Sequence, residues 1–393
     1  MKAQETFQKT SRRAAMLVIA ASLAACGGGG YGGGSSYSPP PPPPMQPQPV
    51  SGSVFATLNT QTTIGSTLDP TEHGGNPYGL AIAPMTSGLV TAGDLVVCNF
   101  NDGATNTQGQ GTTVVGLHPV KGAMPYRIAQ SSLLLGCSAV TTLPDSSIVA
   151  TASQANSTVL VSPAGAVSTP FSANPATEPW GAITAAYKGT QLLFVSNAAN
   201  GTVDRITMSG DTQSSFTEIA AGFSVNHGAP GSISAPAGLT YDASIDTLYI
   251  VDTNSNRVVA LAGASAIGKD GVMVNGSSFT GASAASARVI ASGAPLNGPI
   301  SSALLANGNL VVGNTLDANG TNLLVEVSPK TGVVATKNVD TGAAGAIFGI
   351  VAVPATINIT VNNGVYGTTT TTVISNVIYF NDDNSNAVVA LSQ

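Results

Sequence analysis

The chain has 393 residues and a formal net charge of −6 at pH 7, with only 8% of its residues charged. An average soluble domain carries about 25%, so solubility here rests on Ser, Thr, Asn and Gln. Without a basic patch to neutralise phosphates the chain is excluded as a nucleic-acid binder, and direct adsorption to anionic lipid is disfavoured for the same reason.

Residues 1–25 read as an export signal. Lys2, Lys9, Arg12 and Arg13 form a basic start, and Ala14–Ala24 form a short apolar stretch. That stretch is too short to span about 30 Å of hydrocarbon as a helix. Leu23-Ala24-Ala25-Cys26 resembles the lipobox of bacterial lipoproteins. The resemblance implies that the Cys26 thiol receives diacylglycerol and becomes the new N-terminus, which makes the membrane a partner through a lipid anchor. Gly27 follows where inner-membrane retention asks for Asp, so the implied address in a Gram-negative envelope is the outer membrane. Removal of the signal leaves 9 basic residues against 18 acidic ones.

Residues 26–50 form a linker. Gly27–Val50 is rich in Gly and contains the run Pro39–Pro44. Gly-rich sequence is flexible and polyproline is an extended rod of about 3.1 Å per residue, so the segment reads as a disordered tether.

Residues 51–393 repeat one pattern six times. The openers are Pro77-Tyr78-Gly79-Leu80, Gly136-Cys137-Ser138-Ala139, Pro179-Trp180-Gly181-Ala182, Pro236-Ala237-Gly238-Leu239, Pro299-Ile300-Ser301-Ser302 and Ile347-Phe348-Gly349-Ile350. Each leads to an apolar run ending in a polar residue (Asn99, Thr151, Asn197, Asp252, Asn314, and the pair Asn381-Asp382) and then to a further apolar run. Strand-forming residues fill the runs and turn-forming residues fill the gaps. A unit of this kind cannot bury both faces alone, so the repeat predicts an all-β, six-bladed β-propeller. Openers lie 43 to 63 residues apart, so several blades exceed the roughly 40–50 residues of ordinary ones. Surface loops or hairpin extensions are therefore expected at Asn101–Gly111, Gly263–Ser286 and Thr356–Thr372. The last copy shows three strands, and its outer strand is expected from Gly52–Asn59, where Val54–Leu58 is the first apolar run; pairing the two ends would leave no open edge.

The opener together with Leu248–Val258 (Leu-Tyr-Ile-Val-Asp-Thr-Asn-Ser-Asn-Arg-Val) resembles the NHL-repeat family and the wider group of six-bladed propellers that includes gluconolactonase-like enzymes. The resemblance covers roughly residues 74–393 and identifies the repeat class, not an activity. It implies that the polar ends of the second strands, with Tyr78 and Trp180, gather at one channel mouth. Gluconolactonase-like enzymes hold a divalent cation there. The nearest candidates for Ca²⁺ or another hard cation are Glu178, Asn197 and Asp252, with Glu72 and Asn99 behind them. Asn and Asp also suit these places as turn caps, which needs no ligand.

His73 and His227 both precede openers, whereas His118 ends a third strand and is expected on the other face, so no three-His zinc site is implied. Gly-x-Ser-x-Gly is absent, and Gly263–Lys269 lacks the following Ser or Thr of a phosphate loop. Cys98 and Cys137 fall in adjoining blades, either as a disulfide or as two buried thiols. The expected function is a non-catalytic binding or scaffold protein of the cell envelope, serving an envelope protein, a glycan or a small molecule. The alternative is a metal-dependent propeller hydrolase, lactonase or lyase.

Overall fold

The structure is a computed structural model that describes residues 52–171, 177–362 and 368–393. The export signal, Cys26 and the tether lie outside the described residues. Each opener begins an innermost strand, and the sheets close into six blades. Blade one comprises Gly75–Ile82, Leu95–Asn101, Thr113–Leu117 and Tyr126–Gln130. Blade four, the clearest sequence copy, comprises Pro236–Asp242, Thr247–Asp252, Arg257–Ala262 and Ala287–Ser292. Each innermost strand touches the next, and the sixth touches the first, so the ring is closed. Among the described residues no helix is long and apolar enough to cross a membrane.

The core lies between blades, as the two-residue period of the strands demands. In blade four, Leu248 and Ile250 pack toward blade three with Phe194 and Leu239. Tyr249 and Val251, alternating with them, pack toward blade five with Leu310 and Val312. Cys98 and Cys137 sit in the equivalent layer between blades one and two, beside Val96, Val140 and Ile148.

The ring is closed by Thr60–Ser66, which pairs antiparallel with Ala387–Ser392 from Thr60↔Ser392 to Ser66↔Ala387. The expected closing segment, 52–59, does something else. An outermost strand faces solvent and needs β-propensity more than hydrophobicity, which suits Thr60-Gln61-Thr62-Thr63-Ile64. The more apolar Val54–Ala56 forms a single 3-10 turn. It buries Val54 and Phe55, with Leu58 after it, between blades five and six beside Leu324, Ile350 and Phe380. The turn is held by the buried Glu326, whose carboxylate accepts from the Ser53 hydroxyl (2.6 Å) and from the Val54 and Phe55 amides (3.1 and 3.2 Å).

Two insertions are built into sheets. Val272–Asn275 and Ser278–Thr280, from the Gly263–Ser286 insertion of blade four, add to blade three, with Ala220↔Val272 in parallel register. They cover an outer edge that would otherwise be free to pair with another chain. In blade six, Ile347–Asn362 and Thr368–Asp382 stay paired out to Asn362↔Thr368, so the described residues of the expected insertion, 356–362 and 368–372, prolong the innermost and second strands.

Candidate functional site

The six innermost strands surround an axial cavity of about 430 Å³, a usual size for a small-molecule site. The strands can approach the axis because of the small third position of the opener. A Cβ at Gly181 would lie 2.0 Å from the Ala237 carbonyl oxygen, and one at Gly349 would lie 2.6 Å from that of Tyr78. Real Cβ atoms do not come so near backbone, so Gly is required wherever the next blade's carbonyl abuts. In blade five Ser301 occupies this place and its hydroxyl donates to the Phe348 carbonyl. In blade two the register places Cys137 opposite Ala152, as Pro77 stands opposite Asn99, so the structural opener begins one residue later than the sequence comparison suggested.

The end of the channel where these strands begin is closed. Tyr78, Trp180 and Phe348, the second opener residues of blades one, three and six, pack with Phe100 and Ile233 into an axial plug. The Tyr78 ring centroid lies 4.0 Å from that of Phe348 and 4.1 Å from that of Phe100. Sequence reading expected Tyr78 and Trp180 at an open mouth; they are 5% and 6% exposed. Three large rings converging on one axis bury more apolar surface than they could keep apart. Burial, with Asp383 nearby, pushes the Tyr78 hydroxyl well above its ordinary pKa.

The polar residues at the second-strand ends are buried and bonded within the fold. The Asn99 amide donates to the Thr67 carbonyl (3.0 Å) and to Thr113 (3.2 Å). Asn197 donates to Thr202 (3.0 Å) and Asp204 (2.6 Å). Asp252 accepts from the Arg257 guanidinium at 2.8 Å. Asn314 donates to the Pro295 carbonyl (2.8 Å), and Asp382 accepts from Ser385 (2.7 Å). Asn381 reaches across the ring closure to the Gly79 carbonyl at 3.0 Å, tying blade six to blade one. Thr151 donates to the Trp180 carbonyl in the next blade (3.2 Å).

Four oxygens at these strand ends are nevertheless buried without a hydrogen-bond partner: Asn99 Oδ1, Asp252 Oδ1, Asn381 Oδ1 and Asp382 Oδ1. Glu178 stands on a left-handed turn at φ 50, its amide held by Asn156 (2.8 Å). Asn197 gives its amide to Thr202 and Asp204 of its own blade, and Asp252 engages Arg257 through Oδ2 alone. Among the described residues no three His, Cys, Asp or Glu side chains are grouped to hold a metal ion. His73 and His227 are exposed on left-handed turns, and His118 is an exposed partner of Asp94 (2.6 Å). Cys98 and Cys137 are both buried and unbonded, and burial together with the contact to Cys98 pushes the Cys137 thiol up.

Two groups of residues escaped the sequence reading. Asn156, Asn256 and Asn386 each occupy a left-handed turn before a third strand. Their side-chain oxygens accept the amide just ahead of another blade's opener: Glu178, Gly298 (2.7 Å) and Asn76 (2.7 Å) respectively. Their recurrence four residues past the end of each second strand was the available signal. Asp383 is the second group. Burial and the neighbouring Asp382 push its carboxyl up to about 6, on the plugged face beside Tyr78. Standing next to Asp382, it was masked in the sequence by a commoner turn role.

The cavity itself is free of charge. Its lining consists of Gly, Ala, Val, Leu, Ile, Ser, Thr and aromatic residues, with no Asp, Glu, Lys, Arg, His or Cys. Its hydroxyls are already employed between blades: Thr142 donates to the Ile82 carbonyl (2.8 Å), Thr184 to that of Thr142 (2.7 Å) and Thr240 to that of Ser302 (2.9 Å). Such a wall offers apolar surface and a few spare acceptor lone pairs.

No family model matches the chain, and no curated protein matches it. Among solved structures it is similar to a gluconolactonase from Xanthomonas campestris, at 12% identity and a TM-score of 0.54, over 86% of this chain and 91% of that chain. It is also similar to virginiamycin B lyase from Staphylococcus aureus, at 12% identity and a TM-score of 0.48, over 85% and 98%. The gluconolactonase likeness bears on the propeller fold and, at that identity, on nothing more.

Proposed function

We propose that this protein is an exported, lipid-anchored propeller that acts as a non-catalytic binding protein of the cell envelope, taking an uncharged small molecule into its axial channel. The carrying observation is the charge-free lining of a 430 Å³ cavity. Hydrolysis or elimination at that wall would need an acid, a base or a metal, and its titratable side chains are the Tyr78 and Tyr241 phenols, both pushed above their ordinary pKa by burial. Export and anchoring rest on the Lys2–Cys26 signal and lipobox, and the outer membrane on Gly27. In the fractionation test, Cys26→Ser should leave the membrane fraction while keeping the parent melting curve. Retention of the mutant in membranes removes the anchor from the reading.

A second reading takes the chain as a lactonase or lyase. The named activities of the structural neighbours support it, and so does Asp383, whose carboxyl near 6 beside Tyr78 suits a proton-transfer group. Lactone hydrolysis by the purified protein, with and without added divalent cation, tests it. Turnover lost in Asp383→Asn would favour this reading over the first.

A further inference from the structure

The two ends of the channel differ. At the strand starts Tyr78, Trp180 and Phe348 seal it. At the strand ends the lining residues Ile82, Thr142, Thr184, Leu304 and Ala352 are all only half-buried, so the lumen meets solvent there. The N-terminal segment joins the body on this same face. Asn307 and Asn309 lie on the turn that follows Leu304, and Asn307 donates to the Gly52 carbonyl at 2.6 Å. Both amides also meet Glu326, which holds Ser53–Phe55. Gly52, the first described residue, is thus held beside the open end.

The shape restricts the occupant. Each strand lines the cavity with about five residues, which at roughly 3.3 Å each gives a column near 16 Å long. A sphere of 430 Å³ would be only about 9 Å across, so the space is tall and narrow. A charged ligand would leave water for a wall without a counter-charge, a cost of several kcal/mol. A sugar would lose hydrogen bonds to hydroxyls already given to neighbouring blades.

We infer that the channel is loaded from the face where the N-terminal segment joins the body, and that it takes an elongated, uncharged hydrocarbon chain. This rests on the reading of the channel as a binding site. The chain's source is either a lipid tail or a free apolar solute.

Diphenylhexatriene, a rod-shaped hydrocarbon that brightens in apolar surroundings, is the probe. Thr142→Cys places a reactive thiol at the open end, and Cys98 and Cys137 are fully buried, so a bulky maleimide can be attached after folding. Labelling should weaken probe binding by at least about tenfold, while the same label on Asn254→Cys, an exposed position at the sealed end outside the channel wall, should leave the dissociation constant within about threefold. Undiminished binding after labelling at Thr142→Cys, or binding lost on labelling at Asn254→Cys, overturns the direction of loading while leaving a binding channel standing. Failure of the parent protein to bind the probe overturns the proposed function as well. Displacement by dodecanol alone supports a free solute, and displacement by lysophosphatidylcholine as well supports a lipid tail. Displacement by neither overturns the ligand class.

Discussion

Glu326→Gln is the most revealing single change in the fold. The carboxylate is fully buried and accepts from Ser53, Val54, Phe55, Asn307 (3.2 Å) and Asn309 (2.7 Å). One oxygen receives Val54 and the two Asn amides; the other receives Ser53 and Phe55. Glutamine keeps the shape but replaces one oxygen by a donor. The least costly placement sets the new NH₂ toward Ser53, whose hydroxyl can reverse, and orphans the Phe55 amide. One buried unsatisfied donor costs about 1–3 kcal/mol, and the remaining bonds lose their charge assistance. The sum is roughly 2–4 kcal/mol, or about 3–6 °C in melting temperature for a domain of this size. Circular dichroism should show that shift, and hydrogen exchange should show Val54 and Phe55 opening without the closing strand Thr60–Ser66. A melting curve within about 1 °C of the parent, with those two amides still protected, would refute the view that Glu326 holds the N-terminal turn.

Three further outcomes follow from the geometry. Gly181→Ala should destabilise the ring by about 2 kcal/mol or more, because its Cβ would meet the Ala237 carbonyl at 2.0 Å, whereas Gly268→Ala, with open space around it, should be near neutral in the same denaturant titration. Asn256→Gly keeps the left-handed turn but loses the bond to the Gly298 amide, and should cost about 1 kcal/mol in urea unfolding; an unchanged midpoint would deny the blade-to-blade role of these asparagines. Burial pushes the Asp204 carboxyl up to about 7 despite the hydrogen bond from Asn197, with Glu218 adding like charge. The folded state then holds a proton the unfolded chain has released, so stability should fall as pH rises from about 4 to about 7, and Asp204→Asn should flatten that slope.

The ring was legible because its period is written in residues with unequal conformational freedom. Pro and Gly at the openers, and aliphatic runs between them, can satisfy one geometry only, and the structure repeats it in every blade. The closing strand was harder to read. Hydrophobicity marks what is buried between blades, so it pointed at Val54–Leu58, while the strand that seals the ring is a polar outer edge. The site was harder still. Asn99, Asn197, Asp252, Asn314 and Asn381 have the same composition whether they face a ligand or bind the next turn, and only distances separate the two cases.

That ambiguity has a physical root. A propeller needs polar groups at its second-strand ends to satisfy turn backbones, and a channel site recruits groups from the same places. When the axis is filled by rings from Tyr78, Trp180 and Phe348, the donors near them must find partners inside the protein, because water no longer reaches them, although the acceptors Asn76 Oδ1, Asn381 Oδ1 and Asp382 Oδ1 are left without one. The inward turning of Asn381 to Gly79 and Thr151 to Trp180 is thus a consequence of the plug. Replacing Trp180 and Phe348 together by Ala should reverse it: water enters, the Tyr78 hydroxyl titrates closer to its ordinary range, and the second-strand ends exchange faster. If those amides stay protected while the plug is gone, the asparagines hold the ring on their own and the aromatic residues merely fill space.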